Sequence, residues 1–267
     1  MIKDKALLKA AREETHAAVQ LIAMVPRHLL PADPSDSSAS LIWDDALGMF
    51  TTQIVRGHRV AYEFVTQQIH IYKGNNVLST LETIGNTFDQ VFVNLKTVLN
   101  SQGLDGNKLK KEWPYELPES VMQKGVPFVK QNKEALSNLK ELYALTSRSL
   151  QSVFSKITAA SEIRCWPHHY DLATLVTIVA HDDPEEAKSI GFGLSPGDGG
   201  YDEPYFYLTP WPYPSADSLY KLTTPAFWNT EGWTGGVLKA GDLNAANAET
   251  TIFDFFENGY HKLKEIL

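Results

Sequence analysis

Apolar residues in this chain keep a helical period, then a strand period, then a helical period again, and that order occurs twice. Within residues 4–25, Leu7, Leu8, Ala11, Ala18, Val19 and Ile22 recur at spacings of three and four, which predicts an amphipathic helix. Leu41–Val55 and Arg59–Tyr72 follow, rich in Val, Ile, Thr and aromatics and broken at Val55-Arg56-Gly57-His58. Gln68, Ile69, His70 and Ile71 alternate as a half-exposed strand should. A second helical stripe runs through Val77, Leu81, Ile84, Phe88, Val91, Phe92, Leu95, Val98 and Leu99. The second copy begins with a stripe from Leu136 to Ile157. Ile163–Ala180 then reads as one long strand, Ile190–Leu194 and Pro204–Thr209 as a hairpin, and Gly236–Ala240 as a last strand. Ile252, Phe255, Phe256, Leu263 and Ile266 close the chain as a helix.

Each helix must bury one face against something. Strands grouped between helices, without regular βαβ alternation, predict an α+β fold. The expected architecture is two similar helix–antiparallel strands–helix halves packed into one compact unit over residues 1–267. The halves would be 1–110 and 130–267, with 111–129 as connector. Each brings a Trp, Trp43 or Trp166, shortly after its first helix and just before a β run, which suggests an internal duplication. The other reading is a single irregular α+β domain whose symmetry is accidental.

Composition removes several function classes. With 24 Lys+Arg against 32 Asp+Glu the formal charge is −8, which argues against nucleic acid or an anionic membrane surface as partner. The single cysteine, Cys165, excludes an internal disulfide and a multi-cysteine zinc site. No apolar run approaches the ~20 residues that span a bilayer, and the charged start MIKDKALLKAAREE has no secretory h-region. The expectation is a soluble, cytoplasmic protein with no membrane and no nucleic-acid partner. No pattern names a cofactor or an oligomeric state.

The unusual chemistry lies in three blocks: 164–175 (RCWPHHYDLATL), 189–200 (SIGFGLSPGDGG) and 201–214 (YDEPYFYLTPWPYP). On a regular strand His168 and His169 point to opposite faces and cannot chelate one ion, whereas His169 and Asp171 share a face. A metal there would need Asp198, Asp202 or Glu203 from the neighbouring hairpin as a further ligand. Otherwise Asp171 simply orients His169. GLSPG at 193–197 matches G-x-S-x-G, but Pro196 has no N–H for an oxyanion hole and Ser195 opens a turn rather than a helix. Ser195 and Asp198 read as turn residues. The aromatics Tyr205, Tyr207 and Trp211 either pack or wall a pocket. Cys165, beside Trp166, reads as an inert buried thiol. His16 and Gln20, one helical turn apart, and His28, His58, His70 and His261 read as surface or satisfied polar residues.

Together the three blocks resemble an uncharacterised bacterial family, a domain of unknown function. Its members carry W-P-[EH]-H-[FY]-D-L-A, then G-x-S-P-G-D, then E-P-Y-x-Y-x-x-P-W. Here these are residues 166–173, 193–198 and 203–211, with His168 where the family is associated with Glu. A looser likeness extends to residues 16–31 and 115–120. The resemblance implies no activity; it picks out His169, Asp171, Asp198 and Glu203 among many polar residues.

Three functional expectations follow. The first is a small-molecule binding protein whose pocket lies among the three blocks, with Trp166, His169, Asp171, Asp198, Glu203, Tyr205, Tyr207 and Trp211 as ligand-binding candidates. The second is a metal-assisted hydrolase using His169, Asp171 and Glu203. The third is a structural or interaction module in which the blocks knit the second half together.

Overall fold

The computed structural model describes residues 4–33, 36–183 and 185–267; the first three residues of the charged N-terminus lie outside them. Its elements are helices and two antiparallel sheets, an α+β protein. The chain divides into two units. One holds the described part of Ile2–Lys140 with Cys165–Tyr170, the other Glu141–Arg164 with Asp171–Leu267.

In the N-terminal unit, helix α1 (Lys5–Leu29) starts at Asp4, whose carboxylate accepts from the Ala6 and Leu7 N–H groups at 3.0 and 3.2 Å. From Ala17 to Pro26 every residue is buried, so the amphipathic start becomes a core helix enclosed on all sides. Strands β1 (Ile42–Asp44), β2 (Met49–Thr51), β3 (His58–Glu63), β4 (Gln68–Lys73) and β5 (Asn76–Glu82) form a meander in sequence order. Helix α2 (Phe88–Ser101), the single turn α3 (Val121–Lys124) and the start of α4 (Lys133–Phe154) complete it. Asn132 caps α4 by accepting the Ala135 N–H at 2.9 Å. Trp43, Phe50 and Phe64 pack ring to ring under the sheet, with Phe50 also against Tyr170.

The stripe beginning at Val77 does not form one helix. Residues 76–82 are β5, and the helix starts only at Phe88. Local chemistry overrides the period. Gly74 at φ +57° closes the β4–β5 hairpin and Gly85 at φ +81° ends the strand. Thr87 then opens α2 with a reciprocal capping box to Gln90.

In the C-terminal unit, β7 (Asp171–Val179), β8 (Lys188–Ser195) and β9 (Tyr205–Trp211) pair in sequence order. Beyond β9 lie β11 (Gly235–Lys239) and then β10 (Phe227–Asn229). Strand β6 (Arg164–Trp166) precedes β7 in the chain. Strands β7, β8 and β9 repeat the sequential antiparallel pairing of the N-terminal sheet, and the two sheets part after β9, which β11 rather than β10 joins. The end of α4 and the C-terminal helix α5 (Ala248–Ile266) lie on one face of this sheet. Phe154 meets Phe192 at 4.6 Å between ring centres, and Phe256 meets Phe192 and Phe206 at 6.1 and 6.2 Å.

The long strand expected over 163–180 is broken. Tyr170 sits at φ +58°, its N–H bonds to the Trp166 carbonyl at 2.7 Å, and the chain reverses between β6 and β7. The face assignments expected for 166–171 therefore do not apply. Burial on both faces also fails beyond Leu172, since Leu175 and Val179 are 48% and 47% exposed. The helices cover only the face of Thr174 and Val176, as is usual for antiparallel sheets.

At the centre of this sheet Gly193 makes a close approach. A Cβ there would stand 2.6 Å from the Leu172 carbonyl oxygen, 2.8 Å from the Tyr207 hydroxyl and 2.9 Å from the Ala173 Cβ. Gly193→Ala should therefore force backbone apart and cost about 1–3 kcal/mol, read as a lower urea midpoint at unchanged slope. An unchanged midpoint would contradict the register described.

Candidate functional site

Two groups of side chains carry concentrated polar chemistry, one in each unit. In the N-terminal unit the turn after β6 presents the Pro167 carbonyl to α1. His16 Nε2 and Gln20 Nε2 both donate to it, at 2.7 and 2.6 Å. Gln20 is 1% exposed, so it must be satisfied where it stands, and its Oε1 accepts from the Tyr115 hydroxyl at 3.1 Å. The Arg27 guanidinium donates to Tyr115 and ion-pairs with Asp36 at 2.6 Å. His16 stacks flat on Tyr170, with ring centres 5.2 Å apart. His168 packs between Tyr115, Trp166 and His169. Burial holds His16 and His168 down to about 4, so both are neutral imidazoles at pH 7. The cavity beside them, walled by Ala17, Leu117, Pro118 and Met122, is only about 10 Å³, room for about one water.

In the C-terminal unit two of the residues singled out from sequence accept from two others. The Tyr207 hydroxyl donates to Asp171 Oδ2 at 2.5 Å, across the gap that Gly193 leaves. The Tyr205 hydroxyl donates to Asp198 Oδ2 at 2.6 Å, while Asp198 Oδ1 accepts from the Gly200 and Tyr201 N–H groups. Asp198 thus organises its turn in the way its Pro-Gly-Asp-Gly-Gly setting suggests. Ser195 does the same one step earlier, its Oγ accepting from Gly197 N–H at 3.2 Å. Burial, reinforced by the bond to Asp198, pushes the Tyr205 phenol up.

The remaining candidates are dispersed. Glu203 is buried, 4.0 Å from Lys239 Nζ, and that ammonium lies over the Tyr201 and Phe227 rings. Trp211 donates its indole N–H to the Glu185 carbonyl at 3.3 Å and packs edge-on against Tyr213. Trp166 and His169 belong to the N-terminal unit and Asp171 to the other. Among the described residues no group of three or more His, Cys, Asp or Glu side chains is placed to hold a metal ion.

The C-terminal unit also holds a cleft of about 510 Å³ that none of these residues lines. One wall is a polar stripe on α5: Asn247, Thr251, Asp254, Asn258 and Lys262, spaced by three and four so that they share a helix face. The other wall is the irregular segment 220–226, which brings Lys221, Thr223 and Thr224. Leu222, Leu238 and Phe255 give the cleft an apolar floor. Tyr220, which also lines the cleft, accepts the Trp228 indole N–H on its backbone carbonyl at 2.6 Å. The Tyr220 hydroxyl, by contrast, is buried without a hydrogen-bond partner among the described residues, and burial pushes its pKa up. Sequence reading missed this site because the helix stripe reads as a solvated face and residues 220–226 have no period. The interior Gly259 on the apolar side of α5 was the available sign of a close approach.

Comparison of the chain with protein-family models, with curated proteins and with solved structures finds no match. No described helix is long and apolar enough to cross a membrane.

Two outcomes check this geometry. Tyr207→Phe leaves the buried Asp171 without its phenolic donor and should cost about 2 kcal/mol, measured by urea unfolding; a neutral result would mean that the bond is not made. A depressed histidine pKa means that the unfolded chain, at 6.5, takes up the proton before the folded one at about 4. His16 therefore supports stability fully above pH 6.5, and its contribution is lost as pH falls towards 4. His16→Gln, which keeps a donor for Pro167, should flatten the stability profile across that window; an identical slope would contradict the burial of His16.

Proposed function

We propose that this protein binds a small molecule in the cleft between α5 and segment 220–226. The observation that carries the reading is the polar face of α5. Five side chains able to hydrogen-bond line a cavity with an apolar floor, the mixture that ligand pockets use to hold a body and fix its orientation. Its volume, about 510 Å³, falls in the range of small-molecule sites, ~300–1,000 Å³. The unmet hydroxyl of Tyr220 supports the same reading, since a buried polar group without a partner costs free energy that a binding site can use.

The three blocks then serve the scaffold. One Asp–Tyr pair, Asp171–Tyr207, bonds between strands and the other, Asp198–Tyr205, ties the turn after β8 to β9, the arrangement expected of residues that knit the second half together. Their resemblance to an uncharacterised bacterial family, a cytoplasmic location and an origin of the two helix–sheet–helix halves by duplication belong to the same proposal. They are supported by the block motifs, by the acidic charge and by the sequential antiparallel pairing that opens each run of strands.

Ligand-observed NMR against a library of small polar metabolites tests the proposal, with Asn258→Trp as the blocking variant. Asn258 is exposed, so the indole should fill the cleft while stability changes by less than about 0.5 kcal/mol. The expected result is a bound compound whose signal is lost in Asn258→Trp. Binding that survives in the blocked variant would place the site elsewhere and overturn the reading.

A further inference from the structure

The side chains around the cleft say what kind of molecule it accepts, an inference that rests on the binding reading above. Charge does not define the cleft. Asp254 is its one carboxylate, and of its two ammonium groups Lys262 lies 3.3 Å from Glu265 on its own helix. A polyanion would require clustered cations, and a cation would require several carboxylates or an aromatic cage. What the cleft has in number is groups that both donate and accept: the hydroxyls of Thr223 and Thr224 and the amides of Asn247 and Asn258, while the Thr251 hydroxyl, which donates to the Asn247 carbonyl at 2.9 Å, is left to accept. Among ordinary ligands, the hydroxyls of a sugar or polyol have the same double capacity, so each can pair with an amide, a carboxylate or another hydroxyl.

The floor fits as well. Phe255 and Tyr220 offer aromatic surface, and Leu222 and Leu238 offer aliphatic surface, against which the C–H faces of a sugar ring can lie. Asp254 and Asn258 are one helical turn apart, so their planar groups stand side by side on the wall and can hold neighbouring hydroxyls of one ring. We propose that the cleft binds a neutral polyhydroxylated molecule of mono- or disaccharide size, with Asp254 and Asn258 gripping adjacent hydroxyls over the Phe255 floor.

Titration of the intact protein with maltose and with myo-inositol, followed by saturation-transfer NMR, tests this, with spermidine and glucose 6-phosphate as charged counterparts. The expected result is binding of at least one neutral polyol. Asp254→Ala should weaken that binding tenfold or more, and Asp254→Asn should restore part of the loss because an amide still bonds to hydroxyls. Spermidine binding lost equally in Asp254→Ala and Asp254→Asn, with no polyol bound, would show a cation site. Glucose 6-phosphate binding with no neutral polyol bound would show an anion site. Each of these would overturn the polyol assignment while leaving a ligand cleft. If none of the four probes binds but a library compound does and is lost in Asn258→Trp, the assignment falls and the binding reading stands. If no probe or library compound binds, or if binding survives in Asn258→Trp, both fall.

Discussion

Leu208 is the side chain on which the C-terminal unit is keyed. It projects from β9, fully buried, into space that two glycines leave open. A Cβ on Gly236 of the paired strand would come within 2.8 Å of it, and a Cβ on Gly259 of α5 within 2.5 Å. Glycine inside a helix costs about 1 kcal/mol relative to alanine, a cost that the close packing of α5 on the sheet offsets. Because the helix docks through this contact, its solvent-facing polar stripe lines one cleft with segment 220–226. The hydroxyl of Tyr220 is drawn to within 3.6 Å of the position a Gly259 Cβ would take. The cleft is the space left beside that contact.

The same logic of a missing side chain operates in the sheet itself. Gly193 lets Tyr207 reach Asp171 between strands that would otherwise hold them apart. Asp198 and Ser195 accept from the turn that follows, and Tyr205 donates to Asp198. In the N-terminal unit, His16 and Gln20 of α1 share a single carbonyl, that of Pro167, with Tyr115 completing Gln20. These specific pairings fix one arrangement of the backbone around them.

Long elements were legible in the sequence because their period persists over several turns. Helices α1, α4 and α5 follow the stripes through Leu7–Ile22, Leu136–Phe154 and Ile252–Ile266, and the β8–β9 hairpin follows its apolar run. Where two short signals met, pattern reading failed. Val77 and Leu81 sit at helical spacing by coincidence, and the Gly74 turn and the Thr87–Gln90 capping box outweigh them. The reversal at Tyr170 needs a positive φ on a bulky aromatic, which tertiary packing against His16 and Phe50 imposes and no local propensity announces. The site was the least legible part. The rare motifs of the three blocks drew attention to Asp171, Asp198 and Glu203, whereas the cleft is built from common Thr, Asn and Lys residues. Only the docking of α5 brings those residues to one cleft.

The central claim is that ligand chemistry resides at α5 and segment 220–226 rather than at the blocks. Amide chemical-shift mapping of the full chain with a bound small molecule tests it most directly. The account predicts shifts concentrated on residues 220–226 and on Thr251, Asp254 and Asn258, with the amides of 166–171 and 195–205 unmoved. Shifts concentrated on Trp166–Asp171 and Asp198–Tyr207 instead would contradict it.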